Sequence, residues 1–450
     1  MSKSHPDNRE RTGPPQSPWL AHYEPGVPYV LDAAAEDFAG ILADAAAVAP
    51  TFPAVTDGRR ALHYAALNAL ADAVAAALGR EPATDGQPIL VALPPGPTLL
   101  AVVVGALRAG RVLAPVDGAD ASAAAELSVR LGAPLAIILD RAAVPFAQAM
   151  QRSGGPLPRI VTVDPLRELR FGLRWLARLG DGKRLHRPVA VFPNAVPWQR
   201  WVAGDGPASP TADEAVRAGA IEVDGVRYGA PELAAGAQMM TAWLTDTSPG
   251  DDTWLVLAPL ASPLGVVAAL GAAPALRARV ALPGSWQPAD AVDALRYFRP
   301  AWVVSDVAAV ARLVAAPELP QAELRSVRGW LVGGPVPPIL ARAFVETTGV
   351  ELCVGWAPRG AAGFVACHPV NGWRGLGGVG LPLPGVTAAA GPDGLVLRAA
   401  NVVGGALVAP GARLDADGFL QVDHDPAEAS EVFERFRQQP VRVTGSARRR

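Results

Sequence analysis

The sequence predicts an α/β protein in which mostly parallel sheets are covered by helices. Two stretches, 60–140 and 290–355, alternate segments of helical period with short β-rich runs, an order typical of parallel sheets. After Gly375 the chain changes to short apolar runs punctuated by Gly and Pro, which indicates a smaller β-rich part near 375–425. We therefore expect two α/β sheet subdomains and a small β-rich subdomain.

The elements of the first stretch follow one another clearly. A helix is predicted over 62–80 and a strand within 88–96, closed by Pro and Gly. The segment 99–117 is predicted to form a buried helix, a stop at Gly110 and a short strand, and 123–140 repeats that order. Four residues at helical spacing are expected on one side of the first helix: Leu62, Ala66, Leu70 and Val74.

Length and composition fit several packed subdomains. The 450 residues are 50% hydrophobic and 18% charged, enough to bury sizeable cores. The net charge of −2 gives no general attraction to nucleic acid. The two cysteines, Cys353 and Cys367, are expected to be small buried residues in a reducing compartment.

The start of the chain is polar and rich in Pro, and it lacks the apolar stretch of a signal peptide. No uninterrupted apolar run approaches the roughly 20 residues that a membrane-spanning helix needs. We therefore expect residues 1–25 to be disordered and the protein to be cytoplasmic.

Several segments between about 60 and 420 carry a family resemblance through their order and spacing. They are HYAALNALADAVAAAL with ILVALPPGPTLLAVVVGALRAGRVLAPVDGAD, DDTWLVLAPLASPLG, LRSVRGWLVGGPVPPILARAFVETTGVELCVGW, GGVGLPLPGV and LVLRAANVVGGAL. Together they resemble the N-terminal domain of the adenylate-forming superfamily of AMP-dependent synthetases and ligases. The resemblance implies that fold for residues 26–425. The insertion at 155–205 is similar to one in bacterial long-chain fatty acyl-CoA ligases.

The resemblance also implies a pocket for a hydrophobic acyl or aryl carboxylate. Ser262 matches a His that gates the acyl pocket, and Gly333–Gly334 match a Gly-Gly-Ala-Pro turn. Trp356 matches a Tyr that stacks on adenine, and it suits either purine stacking or an acyl pocket. The ribose-binding Asp falls near Asp423, although ungapped counting places His424 there.

The ATP-binding motifs of the family are altered in this chain. The family's Ser/Thr/Gly-rich phosphate loop, ending in Pro-Lys-Gly, is expected just before the helix that precedes DDTWLVLAPL. That interval holds no such run, and its nearest basic candidate is Arg217. Arg359 and Gly360 occupy the positions of a phosphate-binding Thr and a Mg²⁺-binding Glu, and neither supplies the carboxylate oxygen that Mg²⁺ prefers. The only lysines, Lys3 and Lys183, match no phosphate-binding pattern.

A third departure concerns the family's small C-terminal domain, which carries a catalytic Lys. Residues 426–450 end in ARRR and fall below the ~40 residues needed for unassisted folding. We therefore expect a basic tail in place of that domain.

These departures predict a homologue with impaired or lost adenylation, no assignable catalytic residue, no metal site and no certain cofactor. The alternative is an active AMP-forming ligase with an Arg-based ATP site, which loads fatty or aryl acids onto CoA or carrier protein. Only that alternative requires ATP, Mg²⁺ and CoA.

The insertion contains a candidate membrane contact at 166–179. Its Leu residues fall at helical intervals beside a parallel stripe of Arg residues: Leu166, Leu169, Leu173, Leu176, and Arg167, Arg170, Arg174, Arg178. Such a helix can lie on the inner surface of an anionic membrane, although core-facing amphipathic helices are commoner. The expected partners are thus a hydrophobic acyl or aryl carboxylate, an acyl carrier protein or complete ligase, and no nucleic acid.

Overall fold

The computed structural model describes residues 17–31, 37–58, 60–82, 86–116, 120–164, 195–204, 219–285, 287–319, 324–374 and 378–423. Its helices are α1 (Gly40–Val48), α2 (Tyr64–Gly79), α3 (Pro97–Arg108), α4 (Ala121–Leu131), α5 (Ala143–Arg152), α6 (Trp198–Val202), α7 (Ala230–Trp243), α8 (Pro263–Val266), α9 (Ala273–Ala275), α10 (Pro288–Phe298), α11 (Val307–Val314) and α12 (Pro338–Thr348). A π-helical segment, Val267–Ala272, joins α8 to α9.

The strands up to residue 281 are β1 (Pro53–Thr56), β2 (Ala61–His63), β3 (Ile89–Ala92), β4 (Val112–Pro115), β5 (Leu135–Leu139), β6 (Arg159–Val163), β7 (Ala195–Pro197), β8 (Ala220–Val223), β9 (Val226–Gly229), β10 (Thr253–Val256) and β11 (Arg279–Ala281). The later strands are β12 (Trp302–Asp306), β13 (Gly329–Gly333), β14 (Leu352–Trp356), β15 (Ala366–Cys367), β16 (Leu381–Pro382), β17 (Thr387–Gly391), β18 (Gly394–Arg398), β19 (Ala406–Ala409), β20 (Ala412–Leu414) and β21 (Leu420–Val422).

Two large sheets confirm the predicted α/β class. One has seven strands in the order β7-β6-β5-β3-β4-β8-β9, and the other has nine in the order β16-β15-β14-β13-β12-β10-β11-β1-β2. The central neighbours in both sheets pair in parallel, and antiparallel pairs stand at the edges. Strands such as β3 and β5 are buried along their whole length, because helices cover parallel sheets on both faces.

The β-rich part is also present. Strands β17, β18 and β19 form a three-stranded antiparallel sheet, and β20 pairs with β21. The boundary lies later than residue 375, because β16 still belongs to the nine-stranded sheet.

The buried face of α2 matches the predicted one only in part, since Val74 is buried and Leu70 is partly buried against the core. Leu62 lies in β2, and Ala66 is exposed. The buried residues include Leu67, Ala71 and Val74, which pack on α3, where Gly105 lets the helices approach closely. The Ala-rich sequence offers several apolar stripes, so helical period alone could not select the one that meets the neighbour.

The predicted disorder of residues 1–25 is wrong for the part that the structure describes. Pro18–His22 form a 3-10 helix whose Trp19 is buried. Tyr23 donates its hydroxyl hydrogen to the carbonyl oxygen of Pro382 at 2.5 Å, and Glu24 accepts the backbone N–H of Asn371 at 2.8 Å. Tyr23 and Glu24 therefore bind this segment to β16 and to the loop that precedes it.

Both cysteines are free and buried, as expected. Burial raises the pKa of the Cys353 thiol to about 11 and that of Cys367 well above its ordinary value. Among the described residues, no helix is long and apolar enough to cross a membrane.

Candidate functional site

The candidate residues cluster where the strands of the nine-stranded sheet end. Strands β10, β12, β13 and β14 are successive parallel neighbours, so their carboxyl ends share one edge. In open α/β sheets this edge is where ligands bind. Ser262 follows β10, Gly333 ends β13 and Trp356 ends β14.

Ser262 caps helix α8. Its hydroxyl accepts the N–H of Gly265 at 3.2 Å and donates to the carbonyl oxygen of Pro259 at 2.7 Å. The first of these bonds satisfies an N–H at the start of the helix that has no intrahelical partner. Ser262, which the resemblance matches to a gating His, therefore has a local structural role.

The Gly333–Gly334 turn brings this helix against the sheet. A Cβ on Gly333 would lie 2.3 Å from Leu264 Cδ2, so a larger residue here would require the Leu264 side chain to shift. Gly334 has φ +122, and its N–H donates to the carbonyl oxygen of Gly355 at 2.8 Å. The Gly-Gly turn therefore contacts both α8, which Ser262 caps, and the end of β14.

Trp356 lies on the other face of the sheet. Side chains alternate along a strand, so Trp356 shares the face of Leu352 and Val354, whereas Gly355 shares the face of Gly333, with which it pairs. Trp356 is partly buried against the main core. The four predicted pocket residues therefore meet at one edge but on opposite sides of the strands.

A tight β-hairpin stands directly before α7, where the resemblance places the phosphate loop. Val223 of β8 pairs with Val226 of β9, leaving a turn of Asp224 and Gly225. These residues have φ 51 and 74, positive at both positions as a type I′ turn requires. Helix α7 begins at Ala230, immediately after β9.

The hairpin is bonded to the loop that follows β14. The Arg359 guanidinium donates to the carbonyl oxygen of Asp224 at 2.7 Å. The Gly360 N–H donates to the hydroxyl of Tyr228 at 2.9 Å. Tyr228 is buried, and this burial raises its pKa. The two positions at which the resemblance places phosphate and metal contacts therefore hold contacts between the two sheets.

The residues at this edge do not fit a Mg²⁺–ATP complex held by the family's motifs. Gly360 lacks a side-chain oxygen, and its φ of +93 disfavours a larger residue. Arg359 is a cation, whereas Mg²⁺ takes carboxylate oxygens. In the part of the chain that the structure describes, no group of three or more His, Cys, Asp or Glu is placed to hold a metal ion.

A groove of about 520 Å³ runs from the turn that follows β13 along α12 and β14. Its walls include Val336, Val345 and Val354, together with Val422 of β21. Asp423 follows directly on this wall. Its carboxylate accepts from Arg413 at 2.7 Å, and both side chains are mostly exposed.

Other predicted positions lie outside the described residues. They are Arg217, the lysines Lys3 and Lys183, and the candidate membrane segment 166–179.

The hairpin and Tyr228 were missed in the sequence. Asp224–Gly225 between apolar-alternating runs is a strong hairpin signal, and it was present in IEVDGVRYG. No local pattern indicated that Tyr228 would contact Gly360, because these residues are 132 positions apart.

Comparison with known proteins identifies the family. The model of the AMP-binding enzymes matches residues 42–170 and 229–412. The chain belongs to the AMP-binding enzyme family. No curated protein sequence matches it.

Solved structures of adenylate-forming ligases share the fold of this family member. The anthranilate CoA ligase AuaEII, in complex with anthranoyl-AMP, has a TM-score of 0.70 at 16% identity, covering 87% of this chain and 78% of that one. Coronafacic acid ligase from Pectobacterium brasiliense has a TM-score of 0.66 at 16% identity, covering 86% and 77%. The N-terminal domain of FACL13 from Mycobacterium tuberculosis has a TM-score of 0.64 at 14% identity, covering 86% and 100%.

Proposed function

We propose that this protein is a homologue of acyl and aryl ligases that binds a hydrophobic carboxylic acid but has lost efficient adenylation. The observation that carries the proposal is the Asp224–Gly225 turn in the place of the phosphate loop. A two-residue turn presents few N–H groups. Phosphoryl transfer requires that the phosphates are held in position and that their charge is neutralised by backbone amides, cationic side chains and a metal ion.

The loop after β14 supports the same conclusion. Arg359 donates to the hairpin's own carbonyl oxygen, and Gly360 donates to Tyr228. An Arg-based substitute for the lost contacts would have to give up the Arg359 bond before its guanidinium could turn to a phosphate. The residues that would carry adenylation are thus engaged in joining the two sheets.

Acid binding has separate support. Trp356 is partly buried at the ligand-binding edge, and the apolar groove begins nearby at Val336. Neither feature depends on phosphate contacts. The similar ligase AuaEII was solved with anthranoyl-AMP, which favours testing aryl acids alongside fatty acids.

We expect at least one hydrophobic carboxylic acid from a panel of fatty and aryl acids to bind the full chain without ATP. Trp356→Ala should weaken that binding about tenfold, or ~1.4 kcal/mol, as for an aromatic contact in a partly desolvated site. Isothermal titration calorimetry measures both affinities, and thermal unfolding checks that the variant remains folded.

Trp373→Ala is the matched control. Trp373 is 53% exposed and lies beyond β15, so its removal should leave acid affinity unchanged. Equal losses in both variants, or no binding by any acid, would contradict the proposed pocket.

A further inference from the structure

Helix α1 and the turn that follows it expose apolar side chains. Leu42 and Ala45 of α1 are buried, whereas Val48 at its end is 71% exposed and Phe52, just beyond it, is 44% exposed. The Phe52 ring packs on the turn at Gly250, where a Cβ would lie 2.7 Å from Phe52 Cε2. Val48 and Phe52 thus form a small apolar ridge on the surface.

A groove of about 260 Å³ lies beside this ridge. One of its walls is α1, with Ile41 and Val48, and the other is the segment 274–277. The ridge is joined to that second wall, because the Gly250 N–H donates to the carbonyl oxygen of Leu276 at 3.2 Å. A ridge and an apolar hollow therefore lie side by side, and apolar surfaces of this kind mark contact sites between proteins.

Opposite charges stand on the two walls of the groove. Asp44 is exposed on α1, and Arg277 ends the segment 274–277. Among the residues that the structure describes, neither side chain forms an ion pair. The groove therefore offers one anionic and one cationic wall to whatever covers it.

We propose that a second copy of this chain covers this surface and that the two molecules associate about a two-fold axis. Such an axis brings each residue of the surface against a different residue of the other molecule, and the same contact occurs twice. Asp44 of each molecule then pairs with Arg277 of the other, and Val48 and Phe52 become buried between them. The proposal does not depend on acid binding, since this groove and the α12 groove share no lining residue.

Charge reversal in the full chain tests this pairing. Asp44→Arg and Arg277→Asp should each weaken self-association at least about tenfold, because like charges then face each other twice. Position 277 has φ 54, a conformation that Asp adopts more readily than most residues. An equimolar mixture of the two variants should recover the affinity of the parent, because every pair across the axis is again of opposite sign. Sedimentation velocity across micromolar protein concentrations measures all four samples.

Val48→Glu tests the apolar part of the contact. It should weaken self-association about tenfold or more, because it places a charge where the two molecules exclude water. Val408→Glu is the matched control, since Val408 is 49% exposed on β19 and its replacement should leave self-association unchanged. Thermal unfolding checks that each variant is folded.

Three results would each overturn the proposal. One is a parent chain that stays monomeric at every concentration. Another is self-association of the reversal variants as tight as that of the parent. The third is a mixture of the two reversal variants that associates no more tightly than either variant alone.

Discussion

Replacement of Asp252 by Ala is expected to lower the free energy of unfolding of the nine-stranded sheet by about 2–4 kcal/mol, the range for breaking a buried charge pair with one partly exposed partner. Asp252 is 6% exposed and precedes β10. It accepts hydrogen bonds from Arg328 Nη2, from the Ser248 N–H at 2.9 Å and from Trp302 Nε1 at 3.1 Å.

This network joins the amino ends of three adjacent strands. Asp252 precedes β10, Trp302 begins β12 and Arg328 precedes β13. The Arg328 guanidinium also lies 5.6 Å from the centroid of the Trp302 ring. Loss of the carboxylate leaves Arg328 Nη2 and two N–H groups without this acceptor. The carboxyl ends of the same strands position Ser262 and Gly333.

Asp246→Ala is the matched control. Arg328 Nη1 lies 3.4 Å from Asp246 Oδ1, but that side chain is 56% exposed, and exposed pairs contribute only ~0–1 kcal/mol. Urea unfolding, followed at the transition in which the nine-stranded sheet unfolds, measures the loss of free energy of unfolding in both variants. Equal destabilisation by the two variants would contradict the assignment of the network's energy to the buried carboxylate.

Mg²⁺–ATP is expected not to raise the melting temperature at millimolar concentration. Charge-assisted phosphate contacts contribute roughly 1.5–3 kcal/mol each. The loss of a loop Lys and of a metal-binding carboxylate therefore removes on the order of 3–6 kcal/mol, or about two to four decades of affinity. Thermal unfolding and calorimetric titration of the full chain measure the effect.

Arg359→Ala sharpens this test. If Arg359 only joins the sheets, its loss should leave nucleotide affinity as weak as in the parent. Micromolar binding of Mg²⁺–ATP by the parent, abolished in Arg359→Ala, would instead identify an Arg-based nucleotide site.

The fold was largely predictable, because buried parallel strands and their helices leave strong local patterns. The segment 88–140 shows this: β3, α3, β4, α4 and β5 appear in the predicted order. The register of helix packing was less predictable, and in α2 several Ala-rich stripes competed. The packing of the segment 18–24 was missed because Trp19 and Tyr23 are isolated aromatic residues in a polar segment, and the partner of Tyr23, Pro382, lies far along the chain.

The candidate site was predictable only as a set of positions. The family motifs located Ser262, Gly333 and Trp356 near one edge, but not the opposite strand faces that separate Trp356 from Gly333. The replacement contacts were harder to foresee. Arg359 and Tyr228 reach residues of the other sheet, and such long-range hydrogen bonds depend on how the two sheets are packed.

The most direct test of the central claim is pyrophosphate release by the purified full chain, given Mg²⁺–ATP and the panel of fatty and aryl acids. We expect no acid-dependent release above the rate without protein, including with any acid that calorimetry shows to bind. Steady acid-dependent turnover that disappears in Arg359→Ala or Arg217→Ala would contradict the account and establish an Arg-based adenylation site.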